Sequence, residues 1–259
     1  MPPLTLVVPA YNEAESVRAG RLDDVVAWRD AHVPTAEILV VDDGSADATA
    51  EAARDVLVQA ADRVLTIPHG GKAAAIAAGF RSAQGDAVLF TDMDQATPIH
   101  HAADLLHALD AGADVAIGSR GLRRTGAPLG RRVLSLGQLA LRALLLGMPL
   151  RDTQCGFKAF RRPVALALLD GLRVYSPAGA APGVGDALRG PSVTSGFDVE
   201  LLYVARRRGY RVAEVPVRWH YADTRRVDLR RDAWRGVRDL VGVATARVRG
   251  AYRPRPEGS

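Results

Sequence analysis

Short apolar runs rich in Val, Ile and Leu alternate in this chain with longer Ala- and Leu-rich stretches whose apolar residues recur three or four positions apart. The runs predict strands over Leu4–Val8, Glu37–Val41, Arg63–Ile67, Ala87–Thr91 and Asp114–Ile117, with helices between them. Strands this short, without polar alternation, suit a sheet covered on both faces. The fold class expected is α/β, a mostly parallel central sheet flanked by helices. Two later stretches also have helical spacing. One, from about Arg132 to Met148, sets Arg132, Ser135 and Arg142 among Leu and Val; the other carries a stripe of Trp234, Val237, Val241, Ala244 and Val248 flanked by arginines. Either is compatible with a membrane interface or with packing on the sheet, and the second is the better membrane candidate. Residues 174–195, rich in Gly, Pro, Ala and Ser, predict a mobile loop.

Composition narrows the classes. With 259 residues, 48% hydrophobic and 24% charged, the chain is neither disordered nor collagenous. Cys155 is the only cysteine, so no internal disulfide and no Cys-based zinc site can form, which fits a reducing compartment. The start of the chain lacks a basic n-region and cleavage site, and no stretch reaches the length of a spanning helix. Cytoplasmic synthesis is expected, with a peripheral membrane position open. The net charge of +5 suits an anionic partner, yet the arginines are dispersed and aromatics make up 5%, which disfavours nucleic acid. Of the 34 basic residues only Lys72 and Lys158 are lysines. His100, His101 and His107 predict a solvated helix rather than a metal site.

The chemistry concentrates where parallel strands end, which is where ligands bind in such sheets. No G-x-G-x-x-G follows the first strand and HGGKAAA is not a P-loop, so both common phosphate cradles are missing. In their place Asp92 and Asp94 follow an apolar strand, two hard-oxygen ligands suited to Mg²⁺ or Mn²⁺. After the second strand, Asp43 or Ser45 could cap a helix starting near Asp47. Asp42 and Asp43 could equally accept from a base or ribose, with Pro9, Tyr11 and Glu13 walling the same pocket. Lys72 opens a helix after Gly70 and Gly71, where it meets either phosphate or solvent.

In one order the chain carries PAYNEAE, VVDDGSADAT, GGKAAAIAAGF, DMDQATP, GSR, RDTQCGFKAF and FDVELLYVARRRGYRVAEVPVRW. Together these resemble glycosyltransferase family 2. DTQCGFK and FDVELLY are most similar to the dolichyl-phosphate β-glucosyltransferase branch, related to the polyprenyl-phosphate mannosyltransferases. The resemblance runs from about residue 4 to 253. It implies a single GT-A nucleotide-sugar-binding domain, a donor half up to about residue 120 and an acceptor half beyond it, a UDP-sugar donor such as UDP-glucose, a divalent metal, and inversion at the anomeric carbon. Carried over, the family's roles place Pro9, Tyr11, Glu13, Asp42, Asp43 and Lys72 around the nucleotide and Asp92 and Asp94 at the metal and diphosphate. Gln95 and Arg120 lie near the sugar and phosphates, and Arg131, Arg132 and Lys158 on the acceptor side. Relatives often carry an N-terminal membrane anchor that this sequence lacks, and 174–195 is enlarged.

Three functions compete. A polyprenyl phosphate acceptor is already largely a dianion at neutral pH, with a second pKa of about 6, and needs no base. A sugar or natural-product hydroxyl must lose its proton, for which Asp198, with Glu200, is the candidate base. The third is a non-catalytic nucleotide-sugar-binding subunit of a membrane complex.

Overall fold

A computed structural model describes residues 3–120, 129–175, 195–219 and 229–252. Seven strands, β1 (Leu4–Ala10), β2 (Glu37–Asp42), β3 (Arg63–Thr66), β4 (Ala87–Thr91), β5 (Val115–Ser119), β6 (Phe157–Arg161) and β7 (Val212–Pro216), form one sheet in the order β3-β2-β1-β4-β6-β5-β7. Every neighbouring pair is parallel except those of β6, which runs antiparallel to both β4 and β5. The five predicted strands are present, with ends shifted by at most two residues. β6 was not predicted. Four of its five residues are buried, and one of them, Lys158, is a charge that interrupts the apolar run a central strand normally shows.

The helices are α1 (Ala14–Arg18), α2 (Arg21–His32), α3 (Thr49–Val56), α4 (Lys72–Ser82), α5 (Ala102–Asp110), α6 (Leu129–Leu146), α7 (Arg162–Gly171), α8 (Ser195–Arg207) and α9 (Leu229–Val248), with a 3₁₀ turn at Ile99–His101. They cover both faces, because successive strand residues point to opposite sides. Val7 packs into one core with Phe80, Phe90 and Phe160, while Leu6 and Val8 pack into the other with Trp28 and Leu105. The three phenylalanine rings lie 5.2 to 6.3 Å apart, centroid to centroid, and fix α4 against β4 and β6.

Three expectations shift. His101 is buried rather than solvated: its Nε2 accepts from the Arg218 backbone N–H at 2.9 Å and its Nδ1 meets Asp104. Arg142, read as a polar face of α6, is buried instead, and donates to Thr153 Oγ1 at 3.0 Å and to the Leu150 carbonyl. That arginine braces the loop entering β6, and burial lowers its pKa. On α9 the buried face is not the predicted stripe: Leu240 and Val243 beside it are buried, whereas Trp234, Val241 and Val248 of the stripe are exposed and Val237 and Ala244 half-buried. Residues 176–194 of the predicted loop, together with Arg123, Arg124, His220 and Tyr221 and the side chains of Arg230, Arg231 and Arg235, lie outside the described residues.

Candidate active site

Because β1, β2, β4 and β5 are parallel, their carboxyl ends share one edge of the sheet, and Tyr11, Asp43, Asp92 and Arg120 follow them there. β6 enters from that same edge by being antiparallel. Phe157 pairs with Thr91, so the segment Asp152–Gly156 lies against the exit of β4.

On the β1–β2 side, Asp43 does not cap a helix. Its carboxylate accepts from the backbone N–H groups of Gly70 and Gly71 at 2.7 and 2.8 Å and sits 2.9 Å from His69 Nδ1. This clamps the turn into α4, where Gly71 has a φ of 83°, a left-handed conformation that an L side chain resists. Asp42 accepts from Ser45 N–H at 3.2 Å, and both aspartates are buried. Ser45 is likewise no cap: its hydroxyl accepts from Asn12 N–H at 2.9 Å. Asp47 accepts from Thr49 N–H and Ala14 N–H, tying the starts of α3 and α1 together. Burial opposes its charge, but these bonds and the Thr49 hydroxyl prevail and lower its pKa. Tyr11 stacks on His69, centroids 4.2 Å apart and planes 22° from parallel. Pro9 is buried in β1 beside Val41, and Glu13 takes a bond from the Ser16 hydroxyl.

At the end of β4, Asp92 is ion-paired with Lys72. Burial opposes the Lys72 charge, yet Asp92, Asp198 and Asp94 together outweigh it and raise its pKa. Asp94 accepts from Ala96 N–H at 3.0 Å. Gln95 has a φ of 49°, unusual for a non-glycine residue, and its amide donates to the Asp92 carbonyl at 2.8 Å while its buried Oε1 finds no partner among the described residues. The Asp92 carboxylate packs so closely on Gly156 that a Cβ there would overlap it. Two carboxylates and an orphaned amide oxygen are a hard donor set that fits Mg²⁺ or Mn²⁺. No cluster of three His, Cys, Asp or Glu side chains suited to a metal occurs among the described residues.

Opposite these, Arg120 is gripped by Asp152. Its Nε and Nη2 donate to the two carboxylate oxygens at 2.6 and 2.9 Å, and its guanidinium lies 5.7 Å from the Trp219 ring centroid. Burial works against its charge, but Asp152 more than compensates and raises its pKa. Lys158, expected on the acceptor side, is fully buried. Its ammonium donates to the Cys155 carbonyl at 2.5 Å and to Asp198 Oδ1 at 2.7 Å, so it holds Asp198 instead of facing an acceptor. Glu200 is likewise enclosed. Fully buried, it accepts from the backbone N–H groups of Arg173, Val174 and Tyr175 at 2.6 to 2.9 Å and from the Tyr252 hydroxyl at 2.7 Å. Arg131 and Arg132 begin α6, but their side chains lie outside the described residues.

Sequence reasoning missed His69, Asp152 and Gly156 as site builders. Asp152 had a usable signal, because an arginine held at a strand end out of water needs a carboxylate partner. His69 and Gly156 had none, since a ring stack and a close backbone approach both depend on segments distant in sequence.

The residue 5–169 segment matches the Glycosyl transferase family 2 profile. The chain therefore belongs to glycosyltransferase family 2. It is 32% identical over 254 residues to the glycosyltransferase AglD of Haloferax volcanii, covering 95% of this chain and 36% of the relative. It is 35% identical to the dolichyl-phosphate β-glucosyltransferase of Drosophila melanogaster, covering 85% of this chain and 68% of that protein. The chain thus spans about a third of the first relative's length and about two thirds of the second's. Among solved structures, glucosyl-3-phosphoglycerate synthase from Mycobacterium tuberculosis in complex with Mn²⁺, UDP and phosphoglyceric acid superposes with a TM-score of 0.65 at 21% identity. That match covers 94% of this chain and 78% of the other. The fold is GT-A, as expected.

Proposed function

We propose that this protein is a metal-dependent, inverting hexosyltransferase that moves glucose from UDP-glucose to a polyprenyl phosphate. The observation that carries the choice of acceptor is the engagement of both candidate bases: Glu200 is buried under four donors, and Asp198 shares an oxygen with the buried Lys158 ammonium. A hydroxyl acceptor needs a carboxylate free to take its proton, whereas a phosphate acceptor arrives ionised.

In this reading Tyr11, His69, Asp42 and Asp43 form the nucleoside wall. Asp92 and Asp94, with Gln95, hold Mg²⁺ or Mn²⁺, which when bound supplies positive charge to offset that on the departing UDP. Lys72 and Arg120 add cationic charge to the same edge, and Arg120 can grip a phosphate bidentately if Asp152 yields it. With the nucleophile already charged, the chain's remaining task is to hold that oxygen in line with the anomeric carbon. Arg131 and Arg132 are the acceptor-side cations.

Among the described residues no helix is long and apolar enough to cross a membrane. The exposed Trp234, Val241 and Val248 of α9, with Leu144 of α6 and the exposed Arg238, support a peripheral seat on an anionic membrane face, the cytoplasmic one, where a lipid phosphate would be met.

Incubation with UDP-[¹⁴C]glucose, MgCl₂ and polyprenyl phosphate should put label into lipid, and EDTA should abolish that transfer until Mg²⁺ is restored. Label absent from lipid but present on a hydroxyl acceptor rejects the reading, and UDP-mannose run in parallel tests the sugar. Asp198→Asn should leave measurable transfer to phosphate; loss of all turnover in a folded Asp198→Asn protein would instead favour the hydroxyl acceptor.

A further inference from the structure

β7 ends the strand order, with β5 on one side only. Successive backbone N–H groups of such a strand point alternately toward its neighbour and away from it. Just past β7, Val217 points inward and donates to the Ser119 carbonyl at 3.1 Å. The next N–H, that of Arg218, turns outward where no strand follows, and a side chain takes it: His101 Nε2 accepts at 2.9 Å. A backbone donor needs an unprotonated nitrogen, so the ring carries its proton on Nδ1, which donates to Asp104 Oδ2 at 3.2 Å. The residue is buried, and it closes the 3₁₀ turn that follows Asp92, Asp94 and Gln95. One histidine thus joins the segment leaving β4 to the segment leaving β7.

Trp219 comes one residue after that anchor, and its ring centroid lies 5.7 Å from the Arg120 guanidinium carbon. Asp152 holds the same guanidinium by its edge, at 2.6 and 2.9 Å, and takes the Arg120 backbone N–H at 3.1 Å. A carboxylate fixes the edge of a guanidinium, while an aromatic ring fixes its plane. We propose that His101 is a positioning residue for Arg120: its Nε2 holds the Arg218 backbone, and that backbone sets the Trp219 ring over the guanidinium. With the acceptor removed, the Arg218 N–H is left unpaired and the chain must shift to satisfy it, carrying Trp219 along. This inference rests on the reading of Arg120 as a cation that meets the donor's phosphates.

Two substitutions separate the two ring nitrogens. Glutamine puts its amide oxygen near the place of Nε2 and asparagine near that of Nδ1, so His101→Gln keeps an acceptor for Arg218 and His101→Asn does not. The chain has three tryptophans, Trp28, Trp219 and Trp234. Labelled with 5-fluorotryptophan it gives three ¹⁹F signals, assigned with Trp219→Phe and Trp234→Phe. The Trp219 signal should move in His101→Asn and stay in place in His101→Gln. His101→Asn, with an unaltered circular dichroism spectrum, should lower kcat for sugar transfer from UDP-glucose by about tenfold or more. The donor KM should change little, because charge on the departing UDP builds in the transition state, and His101→Gln should restore most of the rate. Trp219→Leu should lower kcat in the same way, and adding His101→Asn to it should bring no further loss, since the histidine acts through the tryptophan. A Trp219 signal unmoved by His101→Asn, or moved as far by His101→Gln, overturns the proposal. So does a signal that moves while kcat holds, or losses from the two sites that add. If the unaltered chain transfers sugar to no acceptor, the reading of Arg120 falls with the transferase, whereas the fluorine signals still decide whether His101 holds Trp219.

Discussion

Gly156 and Glu200 show how much of this site is built by side chains that touch no substrate. Gly156 leaves room for the Asp92 carboxylate, and a methyl group there would overlap it. Gly156→Ala should therefore displace Asp92 and weaken Mn²⁺ binding by about tenfold or more, the equivalent of roughly 1.4 kcal/mol, with a circular dichroism spectrum like that of the unaltered protein. Glu200 gathers three backbone donors ahead of residue 176 and the hydroxyl of Tyr252 beyond α9. Burial, then Glu200, raises the Tyr252 pKa, so that hydroxyl remains a donor at neutral pH. Glu200→Ala strands several buried donors, each costing about 1–3 kcal/mol. Its urea-unfolding free energy should fall by about 3 kcal/mol or more.

At the scale of elements, β6 and α9 matter most. By entering the sheet antiparallel between β4 and β5, β6 delivers Asp152, Cys155 and Gly156 to the edge where the parallel strands end. A parallel strand in that place would begin at the opposite edge. α9 buries Leu240 and Val243 and exposes Trp234 at 71% and Val248 at 84%, an apolar face turned to solvent. Trp234→Ala should lower retention on vesicles containing phosphatidylserine in a flotation assay by about tenfold, as expected for losing about 1.5–3 kcal/mol of apolar burial. The variant's melting temperature should change little, because the ring packs on no core. Equal flotation of both proteins would remove this face as the membrane seat.

Across the whole molecule, the donor edge is held by the Phe80, Phe90 and Phe160 cluster, which joins α4, β4 and β6 beneath Lys72, Asp92 and Lys158. Phe160→Ala should cost about 3–5 kcal/mol through lost burial and the cavity left behind, and differential scanning calorimetry should show a melting temperature lower by about 10 °C. The amino-acid sequence alone determined the parallel strands and the acidic residues at their ends, because both signals are local: an apolar run, then Asp92 and Asp94 where it stops. It did not reveal which charges face a ligand and which are consumed inside. Lys158, Glu200 and Arg142 read as surface or acceptor chemistry, and each turned out to be buried on partners 3 to 52 residues away. The physical reason is that a charge leaves water only where segments distant in sequence supply its counter-charge or hydrogen bonds, and only the folded chain brings those segments together.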